Sequence, residues 1–304
     1  MKLADFLKED TPVRLGLWLG RVVPLARGRS IALKLGALLA RSKKNPIRMG
    51  ILANQTVISG GSLSPEEMEQ RCLEACQSMV VSLFEYFYYY RHREELKSAY
   101  TLSVEAEEMF TRDTQNGEAL LFIGPHLGNF DLLGLILATS GLNGLVLAMP
   151  SPTKAYKAQN KLREIQGLHV MPLSLKAFRR ARKVLTEKGV VITGIDQPGD
   201  DPNLRRMPLF FGQASRLPTF YEKLAIDSGA RIRIGVAIRQ PDGHYHIVVS
   251  EPVYFSANDE SDDGNIKKIT AVIEPWIQEF ANQWAIFRTL WPKPAKQKKR
   301  HLNE

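Results

Sequence analysis

The stretch Ala119-Leu-Leu-Phe-Ile-Gly124-Pro-His126-Leu-Gly128-Asn129-Phe-Asp131-Leu-Leu-Gly-Leu-Ile-Leu137 decides the architecture. Ala119 to Ile123 is an apolar run of strand length, and Phe130 to Leu137 repeats apolar residues at helical spacing. Pro125 and Gly128 break the backbone between them, so the segment predicts a buried strand, a turn and a departing helix. His126 then sits at the carboxyl end of a strand, where open α/β sheets place their chemistry. His126 and Asp131 are five positions apart, which on a regular helix points side chains about 140° apart. They can meet only if the histidine lies in the turn and the aspartate in the first helical turn.

A neutral imidazole can accept a proton at cellular pH, and a carboxylate on its other nitrogen fixes the tautomer and stabilises the cation that forms. With no serine or cysteine beside it, such a dyad suits a general base acting on an external hydroxyl. The spacing fits equally well a turn histidine bonded to local backbone, with Asp131 only favouring the helix N-terminus.

Alternation continues on both sides. Strands are expected at 118–124, 145–149, 168–171 and 189–195, with helices at 104–113, 129–140, 153–166 and 175–187 between them, the pattern of a sheet with helical crossovers. Further on, 218–226 reads as helix. Arg231–Arg239 and Tyr245–Val249 read as a hairpin turning at Pro241-Asp-Gly243, 256–264 as polar loop and 265–283 as a final helix. Upstream, Ser64-Pro65-Glu66-Glu67 is a helix start of capping serine, proline and acids, and the helix runs to about Lys97. Its aromatic run Phe84–Tyr90 fits either core or a wall beside a lipid chain. Leu132–Thr153 lacks charge, but Gly141 and Gly144 split it into helix and strand, which argues against a membrane span.

The chain has 304 residues and a net charge of +9, unevenly spread. Thr11 to Pro65 holds nine Lys/Arg and no acid, and the tail after Trp291 adds five more against Glu304. In the first region the charges interrupt stretches such as Leu15-Gly-Leu-Trp-Leu19 and Ile31-Ala-Leu-Lys-Leu35. Basic, tryptophan-bearing amphipathic helices lie in the headgroup region of an anionic membrane, and this apolar density argues against nucleic acid. A helix packed on its own core gives the same pattern. The start of the chain does not read as a secretory signal. Cys72 and Cys76 have the wrong spacing for a zinc or redox motif and read as core thiols of a reducing compartment. His169, His244 and His246 show no metal-ligand spacing, and nothing matches a P-loop, a GxGxxG turn or a GxSxG elbow.

Several blocks, in order, resemble one family. Pro125-His126-Leu-Gly-Asn-Phe-Asp131 looks like the HX4D/E signature of the bacterial lipid A late acyltransferases, whose relatives include the phosphatidylinositol mannoside acyltransferases. All lie within the lysophospholipid acyltransferase superfamily. Gly189-Val-Val-Ile-Thr-Gly-Ile-Asp196-Gln197 followed by Met207-Pro-Leu-Phe-Phe-Gly212 is similar to a second block, and Asn160 and Arg163 match a polar Asn-x-x-Arg helix. Glu279 to Trp291 resembles the closing segment, so the likeness runs from about Arg14 to Trp291.

The resemblance implies an α/β fold with a single central, mostly parallel sheet flanked by helices and an N-terminal amphipathic arm. Residues 1–60 would form the arm, 61–291 the acyltransferase domain and 292–304 a basic tail. It implies an O-acyltransferase moving a fatty acyl chain from acyl-ACP or acyl-CoA to a hydroxyl of a glycolipid or phospholipid-type acceptor, with no cofactor and no metal. The enzyme would sit on the cytoplasmic face of the bacterial inner membrane. His126 would be the base and Asp131 its orienting acid, with N–H groups near Gly128 and Asn129 stabilising the oxyanion. Asn160, Arg163, Asp196, Gln197, Arg205 and Arg206 would hold polar groups of donor or acceptor. A thioester or lipid hydrolase and a non-catalytic lipid-binding protein are the alternatives. The chain departs from the lipid A branch in having Asp131 where glutamate is common, and in its loop Pro198-Gly-Asp-Asp-Pro-Asn203. Acceptor, chain length and carrier therefore stay open.

Overall fold

A computed structural model describes residues 9–113, 117–198, 206–259, 263–284 and 286–292. Helices α1 (Thr11–Val22), α2 (Leu25–Arg41), α3 (Pro46–Ile58) and α4 (Pro65–Arg91) come first, then the short α5 (Arg93–Lys97). The helix expected to reach Lys97 stops at Arg91, because His92 leaves helical geometry at φ −115° and ψ 65°. Its start is as read: the Ser64 hydroxyl accepts from Glu67 N–H while the Glu67 carboxylate accepts from Ser64 N–H, a reciprocal cap.

The alternating part follows as β1 (Tyr100–Leu102), α6 (Val104–Glu108), β2 (Leu120–Gly124), α7 (Phe130–Thr139), β3 (Gly144–Ala148), α8 (Lys154–Ile165), β4 (His169–Pro172), α9 (Leu175–Thr186) and β5 (Val190–Gly194). A two-stranded ribbon, β6 (Leu209–Phe210) with β7 (Gln213–Ala214), precedes α10 (Phe220–Ser228), β8 (Arg231–Arg239), β9 (Tyr245–Val249) and α11 (Gly264–Glu279). The helix expected over 104–113 ends at Glu108 and continues as one wide turn, Met109–Asp113.

Seven strands form one sheet in the order β1-β9-β8-β2-β5-β3-β4. Every pairing is parallel except β8–β9, the expected hairpin. Fold class is therefore as expected. Within β2 the pleat splits the core: Leu121 and Ile123 face the side covered by α9, α10 and α11, while Leu120 and Phe122 face α4, α7 and α8. Helices on both faces explain why the central strands read as continuous apolar runs.

The N-terminal helices pack on α4 in an unusual way. The face that α2 buries is Gly28, Ala32, Gly36 and Ala40, while Ile31, Leu33, Leu35 and Leu38 point outward. Gly28 lies against the Phe84 ring, and Gly20 of α1 against the backbone of Phe87. The aromatic run thus supports the helical arm, with Tyr86, Phe87, Tyr88 and Tyr89 in the core. Cys72 and Cys76 are free, buried thiols. No helix among the described residues is long and apolar enough to cross a membrane.

Candidate active site

The turn after β2 delivers His126 to the carboxyl edge of the sheet, and the adjacent β5 delivers Asp196 to the same place. Gly128 bends the turn back at φ +68°, and a Cβ there would lie 1.9 Å from the Ala237 carbonyl oxygen, so only glycine fits. Asn129 is 2% exposed, and its side-chain oxygen accepts from Leu132 N–H to cap α7.

The imidazole is held by Asp196, where the sequence pointed to Asp131. Nδ1 lies 2.5 Å from Asp196 Oδ1, and the His126 backbone N–H donates to Oδ2 at 2.7 Å. The indole of Trp284 donates to that same Oδ2 at 2.8 Å. A carboxylate facing these donors accepts from Nδ1–H, which leaves Nε2 with its lone pair. Among the described residues Nε2 has no hydrogen-bond partner. The ring stacks on Phe130 at 4.5 Å between centroids, and it lies close to Gly194, where a Cβ would come within 2.9 Å of Cε1. Burial works against charging the ring, but the charge of Asp196, its hydrogen bond and the charge of Asp131 outweigh it. The pKa of His126 is raised above its ordinary value.

Asp131 occupies the first turn of α7 and accepts from Arg163 Nη2 at 2.6 Å. Arg163 also donates to Asn160 Oδ1 at 2.7 Å and lies 5.4 Å over the Tyr156 ring. The predicted Asn160 and Arg163 thus belong to the Asp131 side of the site, with Asn160 buried as a support. Asp131 acts on His126 through space, since its recorded hydrogen bond goes to Arg163.

Other expectations change. The N–H groups proposed as oxyanion donors are taken: Gly128 N–H bonds to Gln283 O at 3.1 Å and Asn129 N–H to Ala237 O at 2.9 Å. The next two, on Phe130 and Asp131, begin α7 and have no acceptor within the helix. Asp196 is fully buried, so it reaches substrate only through His126. Arg206 is bound to Glu222 and Asp263, so its charge is already matched by carboxylates of the protein itself, while Arg205 lies outside the described residues.

A cavity of about 230 Å³ opens beside the imidazole. Phe122, Leu133, Leu137, Val146, Leu168 and Ile192 are among its apolar lining residues, and polar ones include His126, Tyr156, Arg163, Thr193, Gln197 and Arg288. Such a shape suits an aliphatic chain ending at a few polar groups. None of Phe84–Tyr90 lines it. Sequence reasoning missed Trp284, Tyr156 and Arg288. The signal for Trp284 was in view, because a core indole needs an acceptor for its N–H.

Among the described residues, no group of three or more His, Cys, Asp or Glu is arranged to hold a metal ion. A search of curated proteins finds no match. The family model for bacterial lipid A biosynthesis acyltransferase matches residues 13–293. With that match spanning nearly the whole chain, this protein belongs to the bacterial lipid A biosynthesis acyltransferase family.

Proposed function

We propose that the protein transfers a fatty acyl group from an acyl thioester, acyl-ACP or acyl-CoA, to a hydroxyl of a membrane glycolipid or phospholipid-type acceptor. The observation that carries this reading is an imidazole fixed at Nδ1 by a buried carboxylate, beside an apolar cavity, with Nε2 left to accept a proton. The acyl chain lies among Leu133, Leu137 and Ile192 and brings its carbonyl carbon to the imidazole. Nε2 takes the hydroxyl proton as the acceptor oxygen attacks that carbon. The N–H groups of Phe130 and Asp131, at the positive end of α7, are the candidate partners of the oxyanion. Collapse of the tetrahedral intermediate breaks the carbon–sulfur bond, and the imidazolium returns its proton to the departing thiolate. Asp196 keeps the ring in one tautomer and stabilises its charge; Asp131 and Arg163 hold a second charged pair at the cavity wall.

The enzyme works at an anionic membrane surface, the cytoplasmic face of the inner membrane. Support comes from α1 and α2, which expose Trp18 at 58% and Leu38 at 64% beside Arg14, Arg21, Arg27 and Lys34. A helix serving only its own core would turn its large side chains inward, and α2 turns its glycines and alanines inward.

The test supplies the purified protein with an acyl thioester and vesicles bearing a hydroxylated lipid acceptor, read by mass spectrometry. An acylated lipid, lost in His126→Ala, is the expected product. Free fatty acid formed at the same rate with and without acceptor overturns the transfer reading in favour of hydrolysis. Vesicle binding with no product from either overturns it in favour of a lipid-binding protein.

A further inference from the structure

Glu85, near the C-terminal end of α4, has its carboxylate completely buried. A charge withdrawn from water persists only when hydrogen-bonding partners surround it. Here the partners come from two distant parts of the chain, the N-terminal helix α2 and the β8–β9 hairpin. Arg29 of α2 donates through Nε at 2.5 Å, Arg239 at the end of β8 approaches the two oxygens at 3.3 and 3.2 Å, and the Tyr245 hydroxyl of β9 donates to Oε2.

Two routes lead from this carboxylate to the turn that carries His126. Along the first, the Tyr245 oxygen accepts from Asn129 Nδ2 at 3.0 Å, and Asn129 caps the helix that starts behind the imidazole. Along the second, Arg239 exchanges both backbone groups with the Gln283 side chain, at 2.9 Å each, and Gln283 O accepts from Gly128 N–H. In the opposite direction Arg29 leads to α2, whose outer face carries Ile31, Leu35 and Leu38. Arg29 also donates to Gly243 O at 2.8 Å, pinning the β8–β9 turn. Neither Glu85, Tyr245 nor Arg239 lines the cavity, so none of them touches substrate there.

We infer that Glu85 is a positioning residue that joins the outward-facing N-terminal helix to the catalytic turn and fixes His126 through Tyr245–Asn129 and Arg239–Gln283. This inference rests on the proposed role of His126. A turn displaced by an ångström can slow chemistry far more than binding. The variant Tyr245→Phe removes one link and keeps both arginines on Glu85. In full-length protein with vesicles, it should lower kcat about tenfold at nearly constant KM. It should also shift the acidic limb of the rate profile to lower pH, as the His126–Asp196 contact loosens. Arg29→Gln, at the partly exposed end of the network, should act in the same direction while binding vesicles as wild type does. A variant that melts earlier but keeps wild-type kcat and pH limb overturns the inference, because that is what a merely structural network gives. Amide hydrogen exchange separates this outcome from failure of the proposed activity. Faster exchange at residues 128–133 in Tyr245→Phe, with α9 unchanged, supports the inference even if wild type transfers no acyl group. Unchanged exchange there overturns it.

Discussion

Strands β2 and β5 are neighbours in the sheet, and each ends in a turn that leads to an aspartate, yet the two acids serve opposite purposes. Asp196 after β5 is buried and receives three donors, among them the imidazole. Asp131 after β2 is partly exposed and holds Arg163. Proximity in sequence made Asp131 the apparent partner of His126. Proximity in the sheet makes it Asp196. Buried and fully bonded, an acid can fix a tautomer; partly exposed and paired with an arginine, it can shape a substrate-facing wall.

The contrast orders the expected losses. His126→Ala removes the group both acids act upon and should reduce transfer by about 10²–10⁴-fold while leaving melting temperature and vesicle binding near wild type. Turnover near wild type breaks the assignment. Asp196→Asn should come next, about 10²-fold, because the imidazole loses its counter-charge and its fixed tautomer. Asp131→Asn should cost about tenfold, with KM rising as Arg163 loses its anchor. If Asp131→Asn proves the more damaging of the two in steady-state kinetics, the roles are reversed. A change remote from both acids bounds the comparison. Arg21→Ala or Arg27→Ala should weaken binding to anionic vesicles about fivefold each, since a basic residue at such a surface contributes about 1 kcal/mol. Neither should move the pH dependence of turnover.

Much of this was legible in the residues themselves. The apolar runs Leu120–Gly124 and Val190–Gly194, punctuated by glycine and proline, mark strands because both faces of a parallel sheet are covered. Ser64 marks a helix start because its hydroxyl meets a backbone N–H that otherwise lacks a partner. His126 stood out because a turn histidine at a strand's end is accessible. Its acid did not, because the pairing of β2 with β5 brings together residues 70 positions apart and leaves no local periodicity. The Gly128 and Asn129 N–H groups misled for a related reason: their acceptors, Gln283 and Ala237, belong to distant segments. On α2 the helical period was visible, but not which face turns inward. Glycine and alanine at Gly28, Ala32, Gly36 and Ala40 let α2 approach α4 closely, and that leaves the leucines outside.

The pH dependence of kcat/KM tests the central claim most directly, measured for wild type and Asp196→Asn side by side. A base must be neutral to act, and His126 is held above its ordinary pKa, so wild-type activity should rise with pH through a limb above about 6.5. Removing the Asp196 charge should move that limb to lower pH, and removing the weaker influence of Asp131 should move it less. An identical limb in wild type and Asp196→Asn, at any level of residual activity, would contradict a base governed by Asp196.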